Sequence, residues 1–151
     1  MKIFIDTNIF LDMFFHEVKG QYNKIFNNKD NHFYTNTLVL NEVRFKLLFI
    51  LAAEKLQSTK KYLIIKEIKK NSTLRELAFS RFLDFLATVS AHCKILPLLD
   101  DYVESYTLTK ELGLLPTDAD IIMSMRREGI TTILTTDEDF NDIPGIQVLK
   151  P

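Results

Sequence analysis

Two hydrophobic periods alternate along this chain. Lys2 to Ile5 is a short β-branched and aromatic run that stops at Asp6-Thr7-Asn8, the pattern of a buried strand leading into a helix N-terminus. His32 to Tyr34 is a weaker strand, after which Asn36 or Thr37 can cap a long helix with Leu40, Val43, Leu47 and Leu51 at helical spacing. From Ser58 to Arg81 the pattern is helical on either side of a break near Asn71-Ser72-Thr73, and Phe79, Phe82, Leu83 and Leu86 continue an apolar face. Lys94 to Leu96 predicts another strand, and Asp100 to Leu112 a helix stopped by Gly113. Thr117 and Asp120 have the form of a capping box, opening a helix that runs to Gly129 with Asp118 in its first turn. Ile130 to Leu134 and Ile146 to Leu149 are the last strands. Strands alternating with helices predict an α/β fold: a mainly parallel sheet of about five short strands flanked by helices.

Composition narrows the picture. The 151 residues, 46% of them apolar, suffice for one substantial core, so a single domain over residues 1–151 is expected. Twenty acidic and nineteen basic side chains give a formal charge of -1, which excludes the strongly basic field of a general nucleic-acid binder. Any such contact must use a local patch. Cys93 is the one cysteine, so no internal disulfide forms, and its apolar surroundings suit a buried thiol in a reducing, cytoplasmic setting. The N-terminus lacks a signal-peptide hydrophobic region, and Leu47 to Ala53 falls far short of the roughly 20 apolar residues that span a bilayer. No membrane partner is expected.

The chemistry lies in the carboxylates. Ile5-Asp6 and Thr135-Thr136-Asp137 both end strands, and ligands of open parallel sheets bind beyond the strands' carboxyl ends. Asp118, at a helix start, and Glu42, in the opening turns of another helix, can reach the same mouth. Taken singly, each acid is explained as a cap, a helix-dipole partner or a solvated side chain. Taken together, four converging acids repel by roughly 4 kcal/mol per close pair at an effective dielectric near 20 and so require cations. An all-carboxylate set suits Mg²⁺ or Mn²⁺, the ions that activate water for phosphodiester hydrolysis. Asp120, about 200° around the helix from Asp118, is assigned to capping.

In these segments the chain resembles the PIN domain family. Ile5-Asp6-Thr7-Asn8 is similar to the family's opening Asp-Thr-Asn motif, and Thr35 through Glu42 to the segment bearing its second acid. Asp118-Ala119 through Gly129 resembles the helix with the third acid, and Thr135-Thr136-Asp137-Glu138-Asp139-Phe140 the strand end with the fourth. Thr136 stands where the family has arginine or lysine, and Asn36 where it has serine; the stretch from Glu54 to His92 is longer than in the smallest members. The resemblance implies a three-layer fold, Mg²⁺ or Mn²⁺ dependence, single-stranded RNA as substrate, homodimerisation, and an antitoxin partner for VapC-like members. It assigns Asp6, Glu42, Asp118 and Asp137 as metal ligands and catalytic residues, with Asn8 and Thr135 in support. Asp139 is either an outer metal ligand or the cap of a short turn around Phe140, and Asp12 either faces the site or is solvated.

Lys66, Lys69 and Lys70 belong to a positive segment, residues 60–81, that meets only Glu67 and Glu76. It can bind RNA phosphates, form a solvated face or hold an acidic partner's tail. His16, His32 and His92 lack ligand spacing, and the twelve phenylalanines are expected in the core or in dimer contacts rather than stacked on bases. A metal-dependent endoribonuclease is the leading expectation. A catalytically silent RNA-binding or assembly module on the same fold is the alternative, and a haloacid-dehalogenase-like phosphatase is disfavoured because Asn8 stands where it needs an acid.

Overall fold

The structure is a computed structural model that describes residues 1–15 and 22–150. Strand β1 (Lys2–Ile5) buries Ile3, Phe4 and Ile5 almost completely. Successive strand residues point to opposite faces, so the sheet is covered on both sides here. The same is true of β4 (Thr132–Leu134), where Thr132, Ile133 and Leu134 are all buried. An α/β fold of three layers follows, as the residue pattern and the family resemblance anticipated.

With β2 (His32–Asn36), β3 (Cys93–Leu96) and β5 (Gln147–Leu149), the sheet has the order β3-β2-β1-β4-β5, and every pairing is parallel. Phe4 lies opposite Tyr34 on one side and Ile133 on the other. The chain steps outward from β1 to β3, then returns to build β4 and β5 on the other flank. The reversal between β1 and β4 is a topological switch point, where a crevice opens beyond the carboxyl ends of the strands.

Two compact units divide the chain: residues 1–40 with 93–151, and residues 41–92. The first holds the sheet, α1 (Thr7–Phe15), the single-turn α2 (Asn23–Phe26), α6 (Tyr102–Leu112) and α7 (Pro116–Arg127). The start of α6 is capped by Asp101, whose side chain accepts from the Glu104 N–H at 3.0 Å. The end of α7 is tied to that same turn, because Arg127 Nη2 donates to Asp101 Oδ2 at 3.0 Å and to Glu104 Oε2 at 2.8 Å. The capping box expected at Thr117 and Asp120 does not form. The helix opens two residues earlier, with Leu115 at the cap position and no side-chain cap. Pro116 starts it instead, since its fixed φ is helical and its missing N–H would have no intrahelical partner there. A 3-10 turn, Glu138–Phe140, joins β4 to β5.

Helix α3 (Thr37–Leu56) begins in the first unit and continues into the second, which also contains α4 (Lys61–Lys70) and α5 (Ser72–His92). The expected break is at Asn71: its Oδ1 accepts from the Leu74 N–H at 3.0 Å, while its Nδ2 donates to Glu67 Oε1 at 2.8 Å. The apolar face expected on α5 is displaced. Leu74, Ala78 and Val89 are buried, whereas Phe79 is 62% and Leu83 45% exposed. Phe45 on α3 is 51% exposed, so these two phenylalanines are surface groups in the single chain rather than core. Cys93 is half-buried on β3, and burial pushes its thiol up to about 11. Among the described residues no helix is long and apolar enough to cross a membrane.

Candidate active site

Asp6 directly follows β1 and is 5% exposed. A carboxylate so placed must be satisfied by donors, and two hold it in plane: the Thr7 N–H on Oδ1 and Thr135 Oγ1 on Oδ2, each at 2.6 Å. The Asp6 N–H donates to the Leu134 carbonyl at 3.2 Å, extending the β1–β4 ladder one residue past the strands. Thr135 is fully buried, and its hydroxyl works twice, because it also accepts from the Asp137 N–H at 3.0 Å. One hydroxyl thus links the acid after β1 to the backbone of the acid after β4, across the switch point.

Asp137 is half-buried and caps the 3-10 turn, its Oδ1 accepting from the Asp139 N–H at 3.0 Å. The short turn around Phe140 is therefore present, but its cap is Asp137, and Asp139 lies exposed within it. Phe140 itself is 1% exposed and anchors the turn. Asp118 is the acidic residue of the first turn of α7 and is half-buried. Asn8 is half-buried in the first turn of α1. Glu42 belongs to the second unit, half-buried on α3 and paired with Lys46 Nζ at 2.8 Å.

The ends of β1, β2 and β4 form a belt of buried polar side chains whose full extent the residue pattern did not reveal. Thr35 Oγ1 donates to the Ile5 carbonyl at 3.2 Å, bracing β2 against the residue before Asp6. Asn36 is fully buried: Oδ1 accepts from the Val39 N–H at 2.9 Å and caps α3, as expected, and Nδ2 donates to Ser124 Oγ on α7 at 3.2 Å. Ser124 Oγ donates to the Asp120 carbonyl at 2.9 Å, so Asp120 contributes its backbone here and not a cap. The available signal was the polar pair Thr35-Asn36 following the aromatic pair Phe33-Tyr34. Asp12 is not simply solvated; it accepts from the Tyr22 hydroxyl at 3.0 Å, and burial with this bond raises the phenol to about 12.

His32 and His92 are exposed, in keeping with surface roles, while His16 lies outside the described residues. Among the described residues, no group of three or more His, Cys, Asp or Glu is gathered closely enough to hold a metal ion. The donor chemistry of Asp6, Asp118 and Asp137 is nevertheless that of a hard cation: oxygen only, with no thiolate or imidazole near them in sequence.

A sequence profile of the PIN domain matches residues 3–146. The chain belongs to the PIN domain family. No curated relative matches the sequence of this PIN domain. Among solved structures it is similar to VapBC2 from Rickettsia felis bound to a promoter DNA fragment, at 20% identity and TM-score 0.64, covering 99% of this chain and 98% of that one. It is also similar to DNA-bound VapBC from Salmonella typhimurium, at 18% identity and TM-score 0.61 with 99% and 98% coverage. A toxin-antitoxin complex from Klebsiella pneumoniae matches at 17% identity and TM-score 0.54, covering 96% of this PIN domain and 95% of that chain. At these identities the likeness carries the fold.

Proposed function

We propose that this PIN domain is a metal-dependent endoribonuclease acting on single-stranded RNA, and that it is the toxin of a toxin-antitoxin pair. The observation that carries the reading is the buried Asp6 carboxylate, fixed by Thr135 at the switch point where a parallel sheet places its ligands. By the family resemblance Asp6, Glu42, Asp118 and Asp137 would be the ligands of Mg²⁺ or Mn²⁺ and Asp139 an outer one; the described residues do not form a ready-made three-acid cluster, so the ion itself would have to draw these carboxylates together. The bound ion would supply Lewis acidity and a water of lowered pKa. The protein's own contribution is positional: Thr135 and the Thr7 N–H hold the Asp6 carboxylate, and Thr135 and the 3-10 turn that Asp137 caps hold the backbone of the acid after β4. Asn8, in the turn after Asp6, has a supporting role. An antitoxin partner is supported by the toxin-antitoxin complex among the similar folds, and a homodimer is the expected assembly.

Manganese titration of the melting temperature, read beside cleavage of a single-stranded RNA, tests this. An ion that binds only the folded chain at a hundredfold excess over its Kd stabilises it by about 2.7 kcal/mol. Wild type is expected to shift and to cleave; Asp6→Asn and Asp118→Asn are expected to lose both. No shift in wild type, together with cleavage that survives Asp6→Asn, removes the nuclease reading.

A further inference from the structure

The charge of the chain is divided unevenly. Residues 41–92 carry ten Lys and Arg against five Asp and Glu, a formal +5, while the rest carries nine against fifteen, a formal -6. The acids of the proposed site lie mainly in the negative unit, which repels a polyanion. Strand binding therefore needs a positive surface, and the second unit provides one with a definite shape.

Helices α3 and α5 border a groove of about 420 Å³, lined by Arg44, Phe45 and Leu48 from one helix and Arg75, Phe79 and Phe82 from the other. Phe45 and Phe79 are more than half exposed. Arg75 Nη1 donates to the Ile68 and Lys69 carbonyls at 2.8 and 2.7 Å, which sets the exposed Lys69-Lys70 turn beside the rim of the groove. Two arginines and three phenylalanines thus line the groove, and Arg75 ties the Lys69-Lys70 turn to it. We propose that this groove is a docking subsite for a strand of single-stranded RNA, whose bases stack on Phe45 and Phe79 while phosphates pair with Arg44 and the Lys66, Lys69 and Lys70 ammonium groups.

Base stacking and phosphate pairing need this combination, since every base offers an aromatic face and every linkage a charge. A second copy of the chain fits less well, because two such surfaces would meet with like charge. An acidic amphipathic peptide is the competing occupant, since its aliphatic side chains could cover the phenyl rings and its carboxylates could meet the arginines, and the binding experiment separates the two. The choice of RNA rests on the ribonuclease reading above.

Binding of fluorescein-labelled oligouridylate to the full chain is measured by anisotropy in EDTA, where metal-dependent cleavage is silent. Phe79→Ala, at an exposed position, is expected to weaken binding on the order of tenfold, as loss of one stacked base does. Arg44→Gln is expected to flatten the salt dependence by about 0.7 in log-log slope, one phosphate contact. Lys66→Glu with Lys69→Glu and Lys70→Glu is expected to weaken it further. Affinity unchanged in Phe79→Ala and Arg44→Gln overturns the proposal. So does Phe79-dependent capture of a labelled Glu/Leu amphipathic peptide by a chain that ignores the RNA. Cleavage of RNA with groove variants binding like wild type removes the groove and keeps the nuclease. Groove-dependent binding without cleavage removes the nuclease and keeps the groove.

Discussion

Replacing Thr135 by valine deletes one hydroxyl while keeping the shape of the side chain. That hydroxyl is fully buried, donates to the buried Asp6 carboxylate at 2.6 Å and accepts from the Asp137 N–H at 3.0 Å. A hydrogen bond to a charged group contributes about 1.5–3 kcal/mol and a neutral one about 0.5–1.5 kcal/mol. Valine restores neither, so Thr135→Val is expected to destabilise the chain by about 2–4 kcal/mol. For a chain of this length 1 kcal/mol moves Tm by roughly 2–4 °C, so a loss near 3 kcal/mol lowers it by about 6–12 °C. Urea unfolding followed by circular dichroism gives the free energy, with Thr135→Ser as the control that keeps the hydroxyl and removes a methyl. Serine should retain most of the stability. Equal losses for valine and serine would show that packing of the methyl, and not the hydroxyl bridge, holds the two strand ends together, and would refute the role of Thr135 in positioning Asp6.

Asn36→Ala removes both the α3 cap and the bond to Ser124, and a fall of about 2–3 kcal/mol in unfolding free energy is expected, with Asn36→Ser recovering the capping share. Gly113→Ala places a side chain at φ +69°, in space with nothing within 4 Å, so its cost is backbone strain alone, about 1 kcal/mol in the same assay. Cys93 should titrate near 11, two units above its ordinary 9.0, which a pH series of thiol alkylation rates reads directly. The sign for stability follows from proton binding. Between 9.0 and about 11 the folded thiol keeps a proton that the unfolded one has released, so this contribution is full below 9.0 and is lost as pH rises through about 11. A Cys93→Ala chain should lose less stability over that interval; an identical pH profile would contradict the burial argument.

Several features were legible in the residue order because each depends on a local property. The apolar run before Asp6, the β-branched run before Thr135, the Gly113 stop and the Asn71 break are fixed by periodicity, side-chain shape and capping, which act over a few residues. The four acids could be named for the same reason: they sit at strand ends or in opening helical turns. Pro116 shows the limit of local signals, since two start signals competed and the proline's backbone prevailed over the Thr117 cap.

Only the tertiary structure decided what the buried polar groups pair with. Thr135 reaching Asp6 across 129 positions, and Asn36 reaching Ser124 across 88, are bonds between strands and helices whose neighbours are set by sheet order. Tertiary packing likewise selected Leu74, Ala78 and Val89 of α5 for burial and left Phe79 at the surface, because a helix's apolar stripe is defined by what covers it. Hydrophobicity is carried by each residue, whereas burial and hydrogen-bond partnership exist only between residues that the fold brings together.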